Sequence, residues 1–122
     1  MKNQYYMKDK KVKLIKKYSR RDSIGQTIRG YKYITNKSVW AYARQLSQDQ
    51  VFQAAAYSVA ENRFFVLNYR NDLAVYDFIE YKGKFYTITR IDTKDDYNGE
   101  LFVYVNDAPR GDTPSDIEPA DD

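Results

Sequence analysis

The sequence predicts a mainly β protein: a small antiparallel barrel or sandwich of about six strands, with one short inserted helix and one long loop. Three observations carry that expectation. Apolar and polar residues alternate at strand period along much of the chain. Turn signals punctuate the alternation, the strongest at Asn98-Gly99 and another at Lys82-Gly83. Thirteen Tyr, six Phe and one Trp in 122 residues favour pleated, half-buried surfaces. Closure into a barrel or sandwich follows because it removes exposed strand edges.

In chain order, residues 1–10 show no period and read as a basic extension. Residues 11–18 (KVKLIKKY) set Val12 and Leu14 against Lys11 and Lys13, the pattern of a half-buried strand. Residues 19–37 contain Asp22, Gly25, Gly30 and Asn36 and read as a long, mobile loop, with a short strand possible at 31–34. Residues 39–46 (VWAYARQL) form the next strand, with Trp40, Tyr42 and Leu46 on one side and Ala41 and Ala43 on the other. Ser47 opens a capping pattern with Asp49 and Gln50, and Val51, Phe52, Ala55, Ala56 and Val59 recur at helical spacing behind it. A short helix over 48–58 is expected. Residues 63–69 (RFFVLNY) are apolar on both alternating faces, so that strand is either central or covered by another chain. Residues 76–91 divide at Lys82-Gly83 into a hairpin, and 101–105 make the last strand. Three Pro, one Gly and many acids make residues 107–122 an acidic tail expected to be disordered. The single domain is therefore expected over 11–106.

The net charge of +3 is unevenly laid out. Residues 1–21 hold nine Lys or Arg against Asp9, a balance of +8; residues 22–105 are neutral; residues 106–122 hold six acids against Arg110, a balance of −5. A basic head can meet phosphates, releasing counterions. Head and tail can instead meet each other, or partner subunits, as complementary patches. Both can also be plain solvated ends.

With no Cys and no His, thiolate catalysis, Cys/His zinc sites, Ser–His and Cys–His dyads and disulfide scaffolds are excluded. No apolar run approaches the roughly 18 residues that cross a bilayer, and no apolar segment follows the N-terminal charges as in a signal peptide, so a soluble chain made in the cytoplasm is expected. Asp92, Asp95 and Asp96 precede Asn98-Gly99, where Asp is expected as a turn former and not as a metal ligand. Asp77 and Glu80, three apart in a strand, fall on opposite faces and cannot flank one substrate. The five Gly form no phosphate-cradling loop, and no cofactor site is read. Lys32 between Tyr31 and Tyr33 leaves a binder of single-stranded nucleic acid as the main alternative.

An ordered set of features goes further. It comprises a basic first strand, Asp22 to Gly25, Trp40-Ala41, the Ser47–Ala56 segment, Tyr69-Arg70, and Ile79, Tyr81, Gly83, Tyr86 and Ile88 in IEYKGKFYTI. Taken together, the stretch from Val12 to Asn106 resembles the head-closure, or head–tail joining, proteins of tailed bacteriophages. It departs from them in lacking a Leu-Arg-His-Arg-like opening and in having Gln48-Asp49-Gln50 where a Gly-Arg-Glu start is common. The resemblance implies a virion component of the neck. Copies would form a ring below portal and adaptor proteins, close the head over packaged double-stranded DNA, and offer the tail its docking surface. A tail-completion role in the same neck is the near variant. Under this resemblance Arg20, Arg21, Arg29 and Lys32 would face the channel or the adaptor, and Phe52, Ala55 and Ala56 would pack on the barrel or a neighbouring copy. Trp40, Phe64, Val66, Ile79, Tyr86 and Ile88 would be core. No enzymatic activity and no membrane contact are expected.

Overall fold

The computed structural model describes residues 7–45, 63–93, 99–109, 111 and 113–122. The helix expected over 48–58, with Phe52, Ala55 and Ala56, lies outside these residues, as do Asp95, Asp96 and Asn98. The described chain forms seven strands: β1 (Lys10–Arg21), β2 (Thr27–Tyr33), β3 (Val39–Gln45), β4 (Arg63–Asn68), β5 (Phe78–Tyr81), β6 (Lys84–Asp92) and β7 (Glu100–Asp107). All pair antiparallel, in the order β2-β1-β3-β4-β7-β6-β5, and a further β1–β5 pairing closes six of them into a barrel with β2 as the extra strand.

β1 organises the closure. Lys10 to Val12 pair with β3, Lys13 to Ile15 with β5, and Ile15 to Arg21 with β2. β5 and β6 are joined by a two-residue turn in which Lys82 (φ 52°) and Gly83 (φ 77°) both lie in the left-handed region, as a type I′ hairpin requires. A register shift between Ile88 and Arg90 on the β6–β7 ladder adds the local bend that small barrels need. Lys8, in the expected extension, is tied to the barrel by an ion pair with Glu100 at the start of β7.

The barrel interior holds Val12, Leu14, Ala41, Phe65, Leu67, Ile79, Tyr81, Tyr86, Ile88, Leu101, Val103 and Val105. β4 is central, between β3 and β7, and both its faces are buried: Phe65 and Leu67 point into the barrel, while Phe64 and Val66 join Phe102, Tyr42 and Tyr104 in a second cluster on the opposite face. Of the expected core residues, Phe64, Val66, Ile79, Tyr86 and Ile88 are buried, but Trp40 is not, with 52% of its surface exposed. The register explains this. Ala41 lies opposite Leu67 and Ala43 opposite Phe65, so the small side chains of β3 turn inward to make room for large ones on β4. Trp40 consequently faces outward beneath the Lys11 ammonium, 5.1 Å from the ring centre.

Two further expectations are corrected. The stretch 19–37 is not one long loop: β1 runs on to Arg21, turns, and returns as β2. The cross-strand ladder supplies the backbone partners that a loop there would leave to water. Nor are the described residues of the acidic tail without structure. Asp107 and Ala108 still bond to β6, and residues 118–122 lie against β2 and the residues after it, with Glu118 in a parallel bridge to Lys32.

Candidate interaction surface

Among the described strands, β1 from Lys16 onward pairs with β2 alone, so the two strands leave the barrel as a hairpin. Its base is fixed by the barrel. Tyr31 meets Phe78 edge-on at 5.6 Å, the Tyr33 hydroxyl donates to Glu80 at 3.4 Å, and the Lys13 ammonium lies 5.2 Å from the Tyr33 ring centre. The Tyr33 phenol is pushed up by burial and by the nearby Glu80 charge. These contacts also engage the two rings that, from sequence, could have stacked nucleic-acid bases. At the tip, the Asp22 carboxylate accepts the N–H groups of Ile24 (3.0 Å) and Gln26 (2.9 Å), the local turn chemistry expected of Asp.

Strand alternation sorts the basic residues onto two faces. Lys17, Ser19 and Arg21 share one face with their partners Tyr31, Arg29 and Thr27; Lys16, Tyr18 and Arg20 share the other with Lys32, Gly30 and Ile28. The four basic residues singled out from sequence therefore belong to one hairpin but not to one patch: Arg21 and Arg29 stand on one side, Arg20 and Lys32 on the other.

The Arg20/Lys32 face is built around a glycine. A Cβ at Gly30 would lie 2.7 Å from the Tyr18 hydroxyl oxygen and 2.8 Å from the ring carbon that carries it, so Gly30 lets the Tyr18 ring lie flat across β2. The Arg20 guanidinium stacks over that ring at 5.7 Å. The Tyr18 hydroxyl bonds to the Glu118 carboxylate, which holds the phenol above its ordinary range. Arg20 also approaches Glu118 at 4.0 Å.

Residues 118–122 follow the outer edge of β2 and the residues after it. The N–H of Glu118 donates to the carbonyl of Tyr31 (2.8 Å), and the N–H of Tyr33 donates to the carbonyl of Glu118 (2.9 Å). Lys32 donates to Asp121 at 2.8 Å, raising the ammonium and lowering the carboxyl from their ordinary values. The Asn36 side chain reads the backbone of Ala120 in both directions, at 3.1 Å as donor and 2.8 Å as acceptor. The Asp122 carboxylate accepts from the Thr35 hydroxyl (2.6 Å) and the Asn36 N–H (3.1 Å), which holds it below the usual carboxylate range.

Sequence reading did not single out Tyr18, Thr35, Asn36, Glu118, Asp121 or Asp122. The signal available was the opposed charge of the two ends, one interpretation of which was that they meet. Elsewhere, Asp77 is buried and accepts the N–H groups of Ala74 and Lys17, yet burial keeps its carboxyl above the ordinary value. Among the described residues, no group of three or more Asp or Glu side chains is placed to hold a metal ion.

The described residues thus form a small closed barrel with a basic hairpin, one face of which meets an acidic segment of the same chain. A family model for phage head completion proteins matches residues 8–105. The chain belongs to that family, and so is a structural component of the phage head that acts with other head or tail proteins. The solution structure of protein SF1141 from Shigella flexneri 2a is similar, with a TM-score of 0.69 at 14% identity, covering 83% of this chain and 93% of that one. That likeness concerns the fold. No curated protein sequence matches the chain.

Proposed function

We propose that this head completion protein is a ring subunit at the head–tail junction. Copies assemble below portal and adaptor, close the channel over packaged double-stranded DNA, and offer a docking surface to the tail. The observation that carries the proposal is the hairpin. It projects from the barrel with Arg21 and Arg29 on one face, while the tail carboxylates contact the other face. A cationic arm on a rigid barrel suits a DNA-lined channel, where its energy comes from phosphate neutralisation and needs no base contacts. In a closed ring each copy presents one patch to one neighbour and a different patch to the next, a heterologous arrangement that oppositely charged ends favour.

Reversing charge at Arg20, Arg21 and Arg29 tests this. All three side chains are exposed and none supports the core, so the purified variant should unfold at the wild-type temperature. Phage assembled with it should lose packaged DNA or remain tailless. Normal particle yield and infectivity from the variant would overturn the assignment.

A further inference from the structure

We propose that the outer edge of β2, together with Lys32, Thr35 and Asn36, is a strand-addition site for the acidic tail of a second copy of this chain, filled intramolecularly by residues 118–122 when a subunit is alone. An edge strand presents unpaired backbone groups, and here Tyr31 and Tyr33 already use theirs to capture Glu118. The side chains beside that edge select for an extended, carboxylate-bearing segment. Lys32 takes Asp121, Thr35 and the Asn36 N–H take Asp122, and the Asn36 amide reads the backbone between them.

The self-docked arrangement is lightly held. Its backbone pairing is a single bridge, and the Asp121 side chain is 93% exposed. Residues 118–122 add nothing to either hydrophobic cluster, although Pro114 in the connecting segment is buried and would be uncovered on exchange. An identical tail from another copy would remake every one of these bonds, so what separates the two arrangements is local concentration and connection geometry. The geometry allows exchange. Residues 108–117, between β7 and Glu118, span up to roughly 35 Å when extended, about the breadth of a domain of this size. The exchanged segment also lies beyond residues 8–105, the span shared with the family. A ring, which rests on the function proposed above, would supply the concentration. The exchange itself does not depend on that reading.

The test uses two full-length variants that fold alike. One carries Lys32→Ala and Asn36→Ala and keeps an intact tail; the other carries Asp121→Ala and Asp122→Ala and keeps an intact edge. Each variant loses part of its own docking and keeps the Glu118 pairing, so in an equimolar mixture the intact tail and the intact edge each face only a weakened intramolecular competitor. Sedimentation velocity should show a heterodimer in the mixture that neither variant forms alone and that high salt dissolves. Equal unfolding temperatures for both variants and wild type establish that the barrel is intact. A mixture that stays monomeric up to millimolar protein, with both variants folded, would overturn the proposal. Because this experiment needs no phage particle, its failure is distinct from failure of the charge-reversal test.

Discussion

Phe65 offers the sharpest test of the packing. Its side chain is fully buried in β4, edge-on to Tyr81 (5.6 Å) and Tyr86 (5.9 Å), with Ala43 opposite on β3. The Arg63 guanidinium lies over the same two tyrosine rings, at 5.8 and 5.6 Å. Phe65→Ala removes the ring from the middle of this stack, and Ala43 is too short to fill the gap. Truncations of this kind cost about 3–5 kcal/mol through lost transfer energy and residual cavity. Taking a urea dependence of about 2 kcal/mol per molar for a small domain, the unfolding midpoint should fall by roughly 2 M with little change in slope. The matched control is Trp40→Ala. That larger ring is half exposed and loses chiefly its contact with Lys11, so its removal should cost about 1 kcal/mol or less. Urea titration followed by far-UV circular dichroism measures both. If Trp40→Ala proved as costly as Phe65→Ala, the inward register of Ala41 and Ala43 would be wrong.

Two other outcomes are expected. The carboxyls of Asp121 and Asp122 are lowered by their partners, so docking of the tail is complete above the ordinary carboxylate value and is lost as pH falls through the lowered ones, below about pH 4. Asp77 runs the other way: raised by burial, it adds stability to the barrel as pH falls through its raised value. Amide NMR should therefore show residues 118–122 releasing in acid before the barrel unfolds, and tail signals that follow the barrel through one common transition would contradict this. Gly83→Ala should cost about 1–2 kcal/mol, since φ there is 77° and no atom within 4 Å of an added Cβ could repay the strain. Thermal unfolding measures it, with Gly83→Asn expected to recover part of the loss.

Much of the barrel was legible because its signals are local. Lys82-Gly83 marks a hairpin whatever surrounds it, and the doubly apolar run Phe64 to Leu67 suits only a strand covered on both faces. Trp40 faces outward, against the expectation from the family resemblance, because Phe65 and Leu67 on the next strand need small residues opposite, a demand that β3 alone does not reveal. Gly30 read as a loop residue because the reason for it, the Tyr18 ring lying across β2, sits on the partner strand. The tail read as disorder because Pro and acid content reports what a segment can do alone, whereas Glu118 to Asp122 borrow their order from an edge that already exists. The basic quartet falls on one hairpin, but its division between two faces depends on the β1–β2 register, which no single stretch of sequence encodes.

β1 passes from barrel wall to hairpin without interruption, and that continuity has a mechanical consequence. A hinge between barrel and arm would let the tip swing while the body stayed still. Here a pull on the tip along the strand is carried by the β1 ladders to β3 and β5, which are loaded in shear instead of opening one bond at a time. The hairpin is thus a cantilever rooted through β1 in two barrel strands, and a force arriving at Arg21 is delivered to the same wall that holds Val12, Leu14 and Ile15.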